Sequence, residues 1–211
     1  MESERMVYTL GEKRDAERTR KSILQSAKEE FFEKGYRGTR VESIAKRAGV
    51  QKQLIYHYFH NKEDLINQTI EEFVSSVSTG NLTLPDDPAE IASFRMRVNM
   101  DHLKEFLKFT AWEAIEELPQ GSPGEETRRR VLQAYNEDMK SKQQLGMIPE
   151  GLDPALITLM MSSLTVYPLL YGNVTQMITG STLEDPEFQE RWLQFLRQIS
   201  QRIFELSDEK T

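Results

Sequence analysis

Apolar residues recur along this chain at steps of three and four, and no stretch shows the alternation of a half-buried strand. Between about 15 and 34, Ile23, Leu24, Ala27, Phe31 and Phe32 share one helical face, and Gly35 stands where a left-handed cap would end the helix. Thr39-Arg40-Val41-Glu42 matches a capping box and predicts a second helix that carries Val41, Ile44 and Ala45 inward. Ala48-Gly49-Val50 then gives a short turn into a third helix at Gln51, which is the pattern of a helix-turn-helix. Asn61 is placed to cap a fourth helix reaching about residue 78.

Beyond a polar break at 80–88, GNLTLPDDP, one long helix is expected from about 89 to 117 and another from about 125 to 145, with LPQGSPGE between them. Asp153-Pro154 can cap and start the next helix, 155–178, which is apolar nearly all round and has Pro168 inside it, where a kink is expected. The last helix shows Phe188, Trp192, Phe195, Leu196, Ile199 and Ile203 as a stripe opposite a charged face. The expectation is an all-α protein with four parts: a flexible tail at 1–14, a helix-turn-helix domain at 15–62, a connecting helix at 63–79 and a larger helical domain at 80–211.

Composition narrows the chemistry. The 211 residues contain no cysteine, which removes disulfides, thiolate metal sites and cysteine nucleophiles and suits a reducing cytoplasm. No apolar run has the length of a membrane span, and the charged start does not read as a signal peptide. Net charge is −7, yet residues 13–62 hold thirteen Lys and Arg against six Asp and Glu, while 63–211 hold thirteen against twenty-five. One basic region sits on an acidic chain, and that region coincides with the helix-turn-helix, so its surface suits a phosphate backbone.

In such a motif the second helix enters the major groove with its first residues nearest the base edges. Gln51, Lys52 and Gln53 occupy that place; glutamine can pair with adenine, and lysine with guanine acceptors or a phosphate. Ile55 and Phe59 form the anchoring face, Tyr56 and Tyr58 can offer hydroxyls to phosphates, and Lys62 stands at the start of the fourth helix, where a phosphate would meet both an ammonium and the helix dipole.

Residues 19–73 resemble the N-terminal domain of the TetR family of bacterial transcriptional regulators. The marks are Gly35-Tyr36, Thr39 with Ile44-Ala45, Ala48-Gly49-Val50, Tyr56, Phe59, and Asn61-Lys62-Glu63-Asp64-Leu65. Two positions depart: Arg40 stands where the family more often has threonine, and Gln51 where it usually has a serine or similar cap. The resemblance implies DNA contact by Arg40, Gln51, Lys52, Gln53, Tyr56, Tyr58 and Lys62, core packing by Ile44, Ala45, Ile55 and Phe59, and a His57 turned to the scaffold. It also implies a small effector held between long C-terminal helices.

There the chain offers Phe106, Phe109, Trp112, Tyr135, Met139, Met160, Tyr167 and Tyr171, soft and flat groups that suit an apolar or aromatic ligand. The penultimate helix has more apolar surface than one small domain can cover. A homodimer is therefore expected through Leu164, Phe188, Trp192, Phe195, Leu196, Ile199 and Ile203, reading a pseudo-palindromic operator with recognition-helix centres about 34–36 Å apart or somewhat more. Catalysis is not supported: adjacent acids such as Glu116-Glu117 do not face each other on a helix, and His102 has no nucleophile near it in sequence. No histidine and carboxylate spacing resembles a metal site, and no cofactor motif is present. The competing reading is a helix-turn-helix that serves protein contacts without reading DNA.

Overall fold

The computed structural model describes residues 2–78, 83–116 and 121–205, and among these every regular element is a helix. In chain order they are α1 (Glu2–Gly38), α2 (Val41–Ala48), α3 (Lys52–Tyr58), α4 (Lys62–Ser78), α5 (Pro88–Val98), a π-helical turn (Asn99–Leu103), α6 (Lys104–Glu116), α7 (Glu125–Gln144), α8 (Pro154–Leu170), α9 (Gly172–Thr179) and α10 (Pro186–Phe204). The long helix expected over 89–117 is thus interrupted by the π turn. Positions 80–82 and 118–120 of the two expected breaks lie outside the described residues. The expected tail at 1–14 is helical from Glu2, in keeping with a segment rich in Glu, Lys and Arg that contains no proline.

The chain forms two compact units. The first comprises 1–76 together with 109–127, and the second 77–108 together with 128–211. This differs from a simple cut near residue 80, because the end of α6 belongs with the helix-turn-helix. Phe109 is fully buried in the first unit, its ring 5.6 Å from Phe32, which in turn meets Phe73 edge-on at 5.1 Å. These rings extend a core of Ile23, Ala27 and Phe31 from α1, Ile44 from α2, Ile55 from α3, and Leu65, Ile66 and Ile70 from α4.

Gly35 breaks α1 with φ 69° and ψ −178°, a conformation open in practice to glycine alone. A side chain there would also collide with α6: a Cβ would lie 2.7 Å from Glu116 Oε1 and 3.1 Å from Trp112. The Glu116 carboxylate accepts the backbone N–H of Arg37 at 3.1 Å, so the terminal turn of α6 ties down the end of α1.

In the second unit α5 packs against both α8 and α10. Ile91, Ala92 and Met96 meet Met139, Ile157, Met161, Leu193, Leu196 and Phe204 in one core. Asp87, Asp153 and Asp185 cap α5, α8 and α10, each followed by proline at the first helical position, as the sequence pattern predicts for α8. A polar seam crosses this core. Arg95, 9% exposed, donates to Ser162 Oγ at 2.7 Å and lies 4.4 Å over the Tyr135 ring, while Asn99 donates to the Thr165 carbonyl at 3.3 Å. Burial pulls the Arg95 guanidinium below its ordinary pKa range, with the Tyr135 oxygen acting the other way.

The kink expected at Pro168 appears one turn later. α8 ends at Leu170, α9 begins at Gly172, and their axes meet at 93°. Proline removes its own N–H from the ladder, which weakens the turn in which the chain departs. Among the described residues no single helix is long and apolar enough to cross a membrane.

Candidate nucleic-acid interface

The helix-turn-helix forms as the pattern predicts, although one of its local devices differs. Arg40, not Thr39, is the N-cap of α2, and it makes no side-chain cap. The Thr39 hydroxyl is buried and donates back to the α1 end, 3.0 Å from the Glu30 carbonyl and 2.8 Å from that of Gly35. The capping box is therefore not made; the tertiary acceptors outcompete the local amide. Gly49 closes α2 with φ 70°, and the N–H of Val50 reaches the Ala45 carbonyl at 3.0 Å, which turns the chain sharply into α3. Asn61 caps α4 as expected: its Oδ1 accepts the Asp64 N–H at 2.7 Å, and Asp64 Oδ2 accepts the His60 N–H at 2.9 Å.

α3 has one dry face and one wet face. Ile55 and the following Phe59 are each 1% exposed, whereas Gln51, Lys52, Gln53, Tyr56 and His57 face solvent. Gln51, in extended conformation, caps α3 without a side-chain bond, so its amide is not committed to the helix. Tyr58 is half-buried, with its ring 5.5 Å from His57. His57 is exposed, in contrast to the scaffold-facing role implied by resemblance, because it sits two positions from Ile55 and so on the opposite side of the helix.

The cations divide into engaged and free. Lys52 pairs with Glu42 at 2.7 Å, which raises the lysine pKa and lowers that of the acid, chiefly through the hydrogen bond they share. Arg47 is held by Glu29 at 3.0 Å, Glu30 at 2.9 Å and Glu33 at 3.5 Å, and turns its charge toward α1. Lys62 donates to the carbonyls of Tyr36 and Thr39, and its ammonium lies 4.3 Å from the Tyr36 ring centre. Partial burial lowers its pKa, an effect Glu116 opposes. In the structure Lys62 is a clamp across the α1–α2 junction. Arg40 is exposed and forms no ion pair among the described residues, as do Arg37 and Lys46 beside the same surface, two positions the sequence pattern does not single out.

The other expected sites fall in several places. Phe109 and Trp112 belong to the first unit, Phe109 in its core and Trp112 against Gly35, rather than among the long helices of the second. Tyr135 lies under Arg95, Met139 is 1% exposed in the core of the second unit, and Met160 packs beside it. Phe106 is stacked 5.4 Å under Arg128, and Tyr167 and Tyr171 are exposed rings 4.9 Å apart. Of the expected interface residues, Leu196 is fully buried and Phe188 is 3% exposed, so both serve the protein's own core; Leu164, Trp192, Ile199 and Ile203 are half-buried, and Phe195 is exposed.

Comparison with known proteins agrees with this geometry. Residues 23–69 match the family model described as bacterial regulatory proteins, tetR family. The chain is 26% identical over 173 residues to the HTH-type transcriptional repressor SCO4008 of Streptomyces coelicolor, covering 79% of this chain and 86% of that one. Its fold is that of SCO4942 from the same organism, with a TM-score of 0.71 at 19% identity over 89% of this chain and 98% of that one. The regulator FadR of Bacillus subtilis, solved in complex with stearoyl-CoA, is similar with a TM-score of 0.58 and 24% identity over 83% of this chain and 96% of that one. A basic helix-turn-helix with a polar α3 face, followed by an all-helical second unit, accounts for each of these likenesses: residues 23–69 carry the DNA-binding domain of the TetR family, and over most of its length the chain is similar to DNA-binding transcriptional regulators.

Proposed function

We propose that the protein is a homodimeric, cytoplasmic repressor that reads a pseudo-palindromic operator and releases it when a small effector occupies the second unit. The observation that carries the reading is the face of α3, where Gln51, Lys52, Gln53 and Tyr56 stand exposed over the buried anchors Ile55 and Phe59. Gln51 and Gln53 are the base-reading groups, while Lys52, Arg40, Tyr56 and Tyr58 hold phosphates. Lys62 contributes by fixing the α1–α2 junction. A duplex phosphate competes with Glu42 for Lys52, since both acceptors need the same ammonium.

Dimerisation is supported by the apolar face that the second unit leaves uncovered. Leu156 and Leu159 on α8 are more than 60% exposed, and Phe195 on α10 is 46% exposed, in line with half-buried Trp192 and Ile199. Such a face is costly in water and matches a two-fold helical interface in which each copy covers the other. Effector control is supported by the FadR relative with its bound acyl-CoA. α4, α6 and α7 are the helices through which the chain passes between the units, and an effector that prefers one of the dimer's arrangements shifts the population of DNA-competent dimers by its difference in affinity for the two states.

The test is selection of bound duplexes from a random pool, with affinity followed against salt. One enriched inverted repeat, a steep salt slope and loss of binding in Lys52→Ala are expected. Recovery of random duplexes alone would favour the protein-contact reading of the helix-turn-helix.

A further inference from the structure

The bend between α8 and α9 borders an open pocket of about 630 Å³ in the second unit, a size ordinary for small-ligand sites, and none of the aromatic or methionine residues singled out from sequence as effector contacts lines it. From the α5–α6 side it is lined by Met100, Lys104 and Lys108, each four residues from the last. The π turn at Asn99–Leu103 sets this register: the wider turn rotates α6 about its axis relative to α5, and such turns in otherwise α-helical segments gather at functional sites. From the other side come Pro168 and Leu169 before the bend and Gly172, Asn173 and Gln176 after it. Leu183, Thr182, Glu184 and Gln189 close the end.

The charges of this lining are uneven. Lys108 is paired with Glu105 at 2.9 Å, but Lys104 has no carboxylate partner among the described residues. Glu184 is the single acid on the wall, against two lysines. The side-chain amides of Asn173 and Gln176 make no hydrogen bond within the described chain, so they remain available as donors. α9 starts at Tyr171 without a side-chain cap, which adds the positive end of a helix dipole to the same wall. Met100, Pro168, Leu169 and Leu183 supply an apolar floor.

We infer that this cavity binds a small organic carboxylate, its anionic head on Lys104 with Asn173 and Gln176, and its apolar body on Met100, Pro168, Leu169 and Leu183. One free ammonium facing one acid suits a single negative charge; a phosphate dianion would call for the denser set of cations or guanidinium forks that the wall lacks. The inference deepens the proposed effector control and rests on it for its regulatory meaning, though the site itself stands on the cavity.

The experiment uses the full chain with ¹³C-methyl methionine, the Met100 resonance being assigned through Met100→Leu. Octanoate should shift that resonance saturably, and octanol should bind about tenfold more weakly or worse, the loss expected for one charge-assisted hydrogen bond. Lys104→Gln should weaken octanoate by a similar factor with an unchanged melting temperature, and Lys104→Arg should restore it. A silent Met100 signal, equal response to octanol, or indifference to Lys104→Gln would overturn the assignment. A parallel titration on the selected operator separates the two readings: octanoate bound at Met100 without effect on operator affinity upholds the site and removes its role as effector.

Discussion

Replacement of Gly35 by alanine should cost the first unit much of its stability, for two separable reasons. The residue's φ of 69° with ψ near 180° is a region where a side chain costs about 1–3 kcal/mol. The new methyl would also stand 2.7 Å from Glu116 Oε1, a contact that no relaxed structure keeps, and 3.2 Å from Trp112 Cβ, which leaves the methyl little room to move away. The carboxylate must swing away, and with it goes the bond to the Arg37 N–H. Bonds to charged groups are worth about 1.5–3 kcal/mol when buried, and the exposure of this pair reduces that to about 1 kcal/mol. Together the loss is about 3 kcal/mol, which for a chain of this length lowers the melting temperature by about 6–12 °C. Circular dichroism during urea and thermal unfolding measures it, with Gly38→Ala as control. Gly38 lacks the positive φ, and an added Cβ would meet one atom, Lys34 Cβ at 3.2 Å, which a shift of a few tenths of an ångström relieves, so its change should stay within about 1 kcal/mol. Combining Gly35→Ala with Glu116→Ala should restore part of the steric share and leave the backbone share. If Gly35→Ala melts with its control, or the double variant is no better than the sum of the singles, the account of this junction is wrong.

Lys62→Met should destabilise the protein by about 1–2 kcal/mol, because the carbonyls of Tyr36 and Thr39 lose a charged donor at a partly exposed site; urea midpoints measure this, and a loss of operator affinity with no loss of stability would restore Lys62 as a direct phosphate contact. At Asp64, burial pushes the pKa up, but hydrogen bonds from Gln68 and the His60 N–H outweigh it and hold the carboxyl below 3.8. Its contribution is therefore complete above that value and disappears as pH falls through the lower folded pKa, so the stability of Asp64→Asn should vary less than the parent's between about pH 5 and 2.5. Leu159→Glu and Phe195→Glu each place a charge on the uncovered apolar face and should give monomers at micromolar concentration by sedimentation; dimers of undiminished affinity would move the interface elsewhere.

The features legible in the amino-acid order are local ones. The helical period, the stops at Gly35 and Gly49, the Asn61 cap and the Asp-Pro start of α8 depend on residues within one or two turns of each other, so the all-α class, the helix-turn-helix and the exposed polar start of α3 could be read directly. Packing selects which of the competing partners each group finds. Thr39 could cap α2 but instead bonds carbonyls of α1, and Lys62 could await a phosphate but bridges Tyr36 and Thr39, 26 and 23 residues away. A helical stripe shows that a face is buried without showing against what, so Leu196 and Phe188 could be assigned to a partner copy until packing placed them in the protein's own core. The same holds for Phe109, Trp112 and Glu116, which sequence position groups with the second unit and three-dimensional packing joins to the first. The cavity at Lys104 is the extreme case: it exists because a π turn and a bend at Tyr171 bring together side chains nearly ninety residues apart, as no local pattern can.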